Sequence, residues 1–214
     1  MNTTILQSTL LAWVVFFGTN LSAQTEEWKT ALSKNGKITT KYNFSSRINE
    51  DNDKVPVVKT ITTTTENIGI DNCIALMKNI AKHKDFRGEK SSKLINKISE
   101  NEWSIYYYSD GTLLTPAVDG SYRMIFVEDR QNKTATFTLT ADPTLIEKTD
   151  MVRLTYAKEI YSFKEVGGNQ LEITIKTTVS PGFKVPSMML KKAFPKKSLE
   201  NMEKFLEAAK KEIP

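Results

Sequence analysis

Few side chains in this sequence are suited to covalent chemistry. His83 is the only histidine and Cys73 the only cysteine among 214 residues. A Ser–His–Asp or Cys–His site would have to recruit His83. It stands in the charged run KHKDFRG, which predicts a surface position. Cys73 has no partner for an internal disulfide. Its helical context predicts a small buried side chain rather than a reactive thiol. No His/Cys spacing suits a metal. No Gly-x-Ser-x-Gly elbow or phosphate-cradling glycine loop occurs. Asp119, Glu128 and Tyr156 remain as acid–base groups, with no pattern that selects a reaction. A small cyclase or hydrolase is therefore the weakest reading, and the expectation is a non-enzyme without metal or cofactor.

Other residues are better suited to holding a ligand. Arg123 and Arg153 fall within strand patterns and could meet a headgroup, hydroxyl or carboxylate. Turned inward, either would need a partner such as Asp119 or Glu128. Trp103, Ile105 and Tyr107 share one face of a strand, and Tyr156 follows Arg153. Near the C-terminus, SPGFKVPSMMLKKAF places Met188, Met189 and Leu190 beside Lys191 and Lys192. Unbranched Met side chains repack at little cost, which suits a gate. Ordinary core packing accounts for Met188, Met189, Leu190 and the aromatic strand equally well, and both readings stay open.

Helices and strands must position these groups. EEWKTALSKNGK reads as a short helix ending at Asn35-Gly36. ITTKYNF and VPVVKTITTTTEN read as strands with SRINEDND as the loop between them. GIDNCIALMKNIAKHKDF changes to helical period, with Asp71 as N-cap and Ile74, Met77 and Ile80 on one face. About six strands follow: KLINKIS, EWSIYYYS, SYRMIFVED, KTATFTLTA, a long MVRLTYAKEIYSF, and NQLEITIKTTV. The last segment is helical from Val185. Pro195 should kink or break it, and Ser198 could cap a fresh start.

The remaining features concern location and partners. Thirty basic and 25 acidic residues leave a net charge of +5, spread along the chain. That is compatible with transient contact with an anionic membrane surface and is not a nucleic-acid footprint. MNTTILQS, TLLAWVVFFG and TNLSAQ read as a signal peptide over residues 1–23, cleaved after Ala23. The apolar run is short of the roughly 20 residues a membrane span needs, although an uncleaved anchor is the rival. The expectation is an exported monomer, periplasmic or extracellular, with residues 24–214 as one domain.

The motifs, taken in order, resemble the START domain, the steroidogenic acute regulatory protein-related lipid-transfer module of the helix-grip superfamily. EEWKTALSKNGKI resembles its opening. ENEWSIYYYSDG resembles its aromatic strand, and TPAVDGSYRMIFVED the Pro and Asp that lead into the next. DMVRLTY resembles its Val-Arg strand, and SPGFKVPSMMLKKAF the turn that opens its last helix. Phe86 stands where an aromatic, often Trp, is usual; Gly120 and Ser121 replace the usual Arg-Asp pair. The resemblance implies an α+β fold in which a curved antiparallel sheet wraps a long C-terminal helix. A cavity between them would hold one lipid or other hydrophobic molecule, with Met188, Met189 and Leu190 as a lid. The alternative is an interaction module whose cavity has collapsed.

Overall fold

A computed structural model describes residues 27–111 and 115–212. The expected signal peptide, 1–23, lies outside the described residues. Ten strands form one sheet: β1 (Lys29–Leu32), β2 (Thr39–Ile48), β3 (Lys54–Glu66), β4 (Ser91–Ser99), β5 (Glu102–Ser109), β6 (Val118–Asp129), β7 (Thr134–Ala141), β8 (Val152–Arg153), β9 (Ala157–Gly167) and β10 (Gln170–Val179). Their order is β1-β2-β3-β10-β9-β7-β6-β5-β4, antiparallel throughout, with β8 added parallel to β6. Helices α1 (Ile70–Lys78) and α2 (His83–Arg87) precede β4, and α3 (Ser187–Ala209) follows the last strand. The architecture is the expected α+β helix grip.

Side-chain alternation in the strands decides what lies inside. Three registered rows run from β3 through β10 to β9 on the inner face. Thr64, Ile173 and Phe163 form one row, Thr62, Ile175 and Tyr161 the next, and Thr60, Thr177 and Glu159 the third. The first two rows meet Phe137, Phe86, Phe205 and Met202 in a dense core. Phe205 of α3 packs edge-on to Phe86 at 5.1 Å and stacks on Phe163 at 5.8 Å. The third row carries shorter groups and leaves space. The interior is thus filled under the second half of α3 and hollow under its first half.

Several sequence expectations are corrected. Residues 29–32 form an edge strand, not a helix, pairing Lys29 with Tyr42 and Leu32 with Thr39. Trp28, Ala31 and Leu32 have helical spacing, but Trp28 and Leu32 are exposed, so no core contact holds a helix there. Gly69, not Asp71, is the N-cap of α1. The stretch expected as one long strand breaks at 154–156, because Val152 and Arg153 pair with β6 whereas residues from Ala157 pair with β10 and, further on, with β7.

α3 continues through Pro195. Proline lacks the N–H that would bond the Lys191 carbonyl, but Lys191 is exposed and water can serve it. Ser198 does not cap a new helix; its hydroxyl donates to the Phe194 carbonyl at 2.9 Å. Met202, Phe205, Leu206 and Ala209 anchor the second half, whereas the first has only Leu190 and Pro195 buried among its described residues. Amides of residues 188–194 should therefore exchange with deuterium at least tenfold faster than those of 202–208. Equal protection would mean that α3 moves as one rod.

Candidate functional site

The hollow half of the interior is a cavity of about 530 Å³, within the roughly 300–1,000 Å³ usual for small-molecule sites. A more open depression of about 620 Å³ lies over Lys37, Thr64, Glu66 and Glu172 and contains no buried charge cluster. The cavity under α3 is less open and has apolar walls at Val118, Leu154, Val179 and Phe183. The first half of α3 covers it with Met189, Leu190, Ala193 and Phe194.

A charged cluster forms part of its wall. In α2, His83, Phe86 and Arg87 are buried at positions i, i+3 and i+4, while Lys84 and Asp85 face solvent. Gly88 then takes φ +76, a left-handed C-cap. That turn lets Arg87 and Glu89 both reach the cavity wall. A side chain at Gly88 would strain this geometry.

Arg87 grips Glu159 of β9 with two bonds, Nη1 to Oε2 at 2.6 Å and Nη2 to Oε1 at 2.8 Å. Its Nε donates to Glu89 Oε1 at 3.1 Å, and Nη1 also donates to the Tyr161 hydroxyl at 3.2 Å. The guanidinium lies 4.1 Å from the centre of the Tyr107 ring. Burial pulls the Arg87 pKa down, but Glu159 and Glu89 more than restore it, so the group stays charged. Burial pushes the Glu89 carboxyl up, against the attraction of Arg87 and with the repulsion of Glu159. Its Oε2 is buried and has no hydrogen-bond partner among the described residues.

His83 supports this cluster from behind. Its Nε2 is 2.8 Å from the Met77 carbonyl, which can only accept, so Nε2 carries the proton. Nδ1 then accepts from the Tyr107 hydroxyl at 2.6 Å. Burial, aided by Arg87, lowers the His83 pKa to about 3, so the ring is neutral. The expected surface histidine is therefore a buried brace. Tyr122 also lines the cavity, and its ring lies across Gly120, where a Cβ would come within 2.7 Å of it.

The residues singled out from sequence scatter around this site. Met189 and Leu190 line the cavity; Met188 is 80% exposed beside them. Tyr107 lies behind Arg87. Trp103 and Ile105 are in the dense core, with Trp103 tilted against Phe137 at 6.4 Å. Arg123 is exposed on the outer face and pairs with Glu102. Tyr156 is exposed with Arg47 stacked on it at 4.7 Å. Arg153 has the foreseen partner, Asp119, at 2.6 Å and 3.0 Å. The pair is on the outer face of β6, opposite Tyr122, and Arg153 also binds the carbonyls of Pro143, Ile146 and Glu147. It fastens the 142–151 loop and does not reach the cavity. Arg87, Glu89 and Glu159 were missed; the i, i+3, i+4 stripe from His83 was the available signal.

Cys73 is buried, and desolvation raises its thiol pKa to about 12, so it is inert as a nucleophile. Among the described residues no three His, Cys, Asp or Glu side chains gather as a metal site.

No protein-family model and no curated protein sequence matches the chain. Solved structures do. A STAR-related lipid transfer protein from Xanthomonas axonopodis superposes with a TM-score of 0.71 at 14% identity, covering 86% of this chain and 99% of that one. Human StAR-related lipid transfer protein 5 gives 0.68 at 10% identity, with 88% of each chain covered. The Zhui aromatase/cyclase from a Streptomyces species gives 0.50 at 8% identity, covering 72% of this chain and 94% of that one. Likeness at such identities lies in the course of the backbone, and what it shows is that this chain has the START-like, helix-grip fold.

Proposed function

We propose that the protein holds one hydrophobic molecule, a lipid or a compound of similar character, in the cavity beneath the first half of α3 and exchanges it with membranes. The observation that carries this reading is a partly open, largely apolar-walled space of about 530 Å³ in a fold shared with lipid transfer proteins. Each methylene moved from water into such a space gains about 0.8 kcal/mol. Moving it from a bilayer gains almost none, so protein and membrane are near-equal hosts and exchange is feasible. We further propose an exported monomer whose exposed Met188, Lys191 and Lys192 touch anionic headgroups transiently, at about 1 kcal/mol per lysine. Native mass spectrometry of the purified protein, with uptake of labelled lipid from liposomes, tests the binding. Absence of both co-purified ligand and uptake would overturn it.

Met188→Glu separates a gate from core packing. The side chain is 80% exposed, so stability should change by less than about 0.5 kcal/mol. Transfer from anionic liposomes should slow about fivefold or more, because one repulsive charge replaces an apolar contact. An unchanged rate would remove Met188 from the path.

One observation favours a second reading, acid–base catalysis: Glu89 has a raised pKa and lines the cavity. Against it, Arg87 engages both oxygens of Glu159 and one of Glu89, leaving no second free carboxylate to complete a proton-transfer pair. Binding without turnover is the better account.

A further inference from the structure

Resting on the reading of the cavity as a ligand site, we propose that it is a slot for one extended chain of about 15–18 carbons, which admits single-chain amphiphiles and excludes lipids with two long tails. Its length, its volume and its filled end agree. Met189, Ala193, Lys197 and Asn201 line it at every fourth residue of α3. At 1.5 Å of rise per residue the space runs for about 18 Å beneath the helix. An extended carbon chain advances about 1.2 Å per bond, which gives room for about 15 carbons end to end. The volume leads to a similar count. A methylene takes up about as much space as a water molecule in the liquid, roughly 30 Å³. The 530 Å³ of the cavity holds about 18 such groups, and because the space is partly open this is an upper bound.

Length and volume together fix the width. Dividing one by the other leaves a mean cross-section of about 30 Å². One extended chain needs about 25 Å², and two side by side need twice that. Beyond Asn201 the interior is filled. The Asn201 amide donates to the Arg87 carbonyl at 3.2 Å. In the next turn Met202 and Phe205 are fully buried, with Phe205 packed on Phe86 and Phe163. A lipid with two long tails must therefore leave one of them in water, and that tail holds the molecule in its bilayer. The short side chains of Thr60 and Thr177, opposite one another on β3 and β10, keep the slot open on the sheet side.

Displacement of the neutral fluorophore N-phenyl-1-naphthylamine from the protein at pH 7.5 tests this. Palmitoyl lysophosphatidylcholine and didecanoyl phosphatidylcholine share a head group and leave water about equally readily, but carry one tail and two. The one-tailed lipid should displace the fluorophore at a concentration at least tenfold lower; equal potency would overturn the proposal. Across lysophosphatidylcholines from decanoyl to docosanoyl, affinity should climb about fourfold per methylene and level off at about 15–18 carbons. An unbroken climb to docosanoyl would also overturn it. Thr177→Phe puts a ring into the slot and should move the levelling point down by about three carbons. An unmoved point in the folded variant would place the chain elsewhere and overturn the slot. Should the variant fail to fold, the wild-type comparisons still decide. Failure of the fluorophore and of every lipid to bind would overturn the ligand-site reading itself.

Discussion

Arg87→Leu should lower stability by about 3–5 kcal/mol, the usual result of stripping one partner from a buried ion pair. The substitution leaves Glu159 without its counter-ion and Glu89 with only the more distant, exposed Lys197, and Tyr161 loses a donor. It also removes the guanidinium packed on Tyr107. Neither carboxylate can be left charged in that setting, so one or both must take up a proton or the region must open. Urea denaturation at pH 7 measures the effect as a shift in midpoint at constant m-value. The triple variant Arg87→Leu, Glu89→Gln, Glu159→Leu should recover at least half of the loss, since the unpaired charges leave with the arginine. A loss below about 1 kcal/mol for the single variant would mean that water already solvates the cluster.

Stability should also fall steeply on mild acidification. His83 has a folded pKa of about 3, against about 6.5 when unfolded. Between those values the unfolded chain binds a proton that the folded chain refuses. The contribution of neutral His83 is therefore complete above about pH 6.5 and is lost as pH falls toward 3. Each unit of the window is worth roughly 1.4 kcal/mol. Glu89 works in the opposite sense: its raised pKa makes the folded state the better proton binder, so its penalty eases as pH falls. Denaturation midpoints at intervals from pH 7.5 to 4 measure the slope. His83→Gln retains a donor for the Met77 carbonyl and an acceptor for the Tyr107 hydroxyl, and it does not titrate. Its slope should be clearly shallower. Superimposable slopes would show that another group sets the acid limit.

Much of the sheet was legible because a strand between core and solvent must alternate, and β3, β5, β7 and β10 do so. Edge strand β1 was not legible: it has no buried face to impose a period, and Trp28, Ala31 and Leu32 fit a helix equally well. Pro195 misled because a broken hydrogen bond matters less where the free carbonyl is exposed. The site was harder still. Arg123 and Arg153 lie in strands, but residue parity decides which face a side chain takes, and both are on the outer one. Arg87 and His83 were hidden by composition. Lys82, Lys84 and Asp85 make the local sequence look solvated, whereas a helix of five residues turns only three of its side chains inward.

The division of the interior into a filled half and a hollow half has a consequence for how such a protein can change over generations. Cohesion rests on Phe86, Phe137, Phe163 and Phe205, and none of these four lines the cavity. Replacements at Thr60, Thr177 or Val179 would reshape the ligand space without loosening that block. Lineages could therefore drift from one guest molecule to another by small steps, each fold-neutral, while the same scaffold persists beneath sequences that no longer look alike.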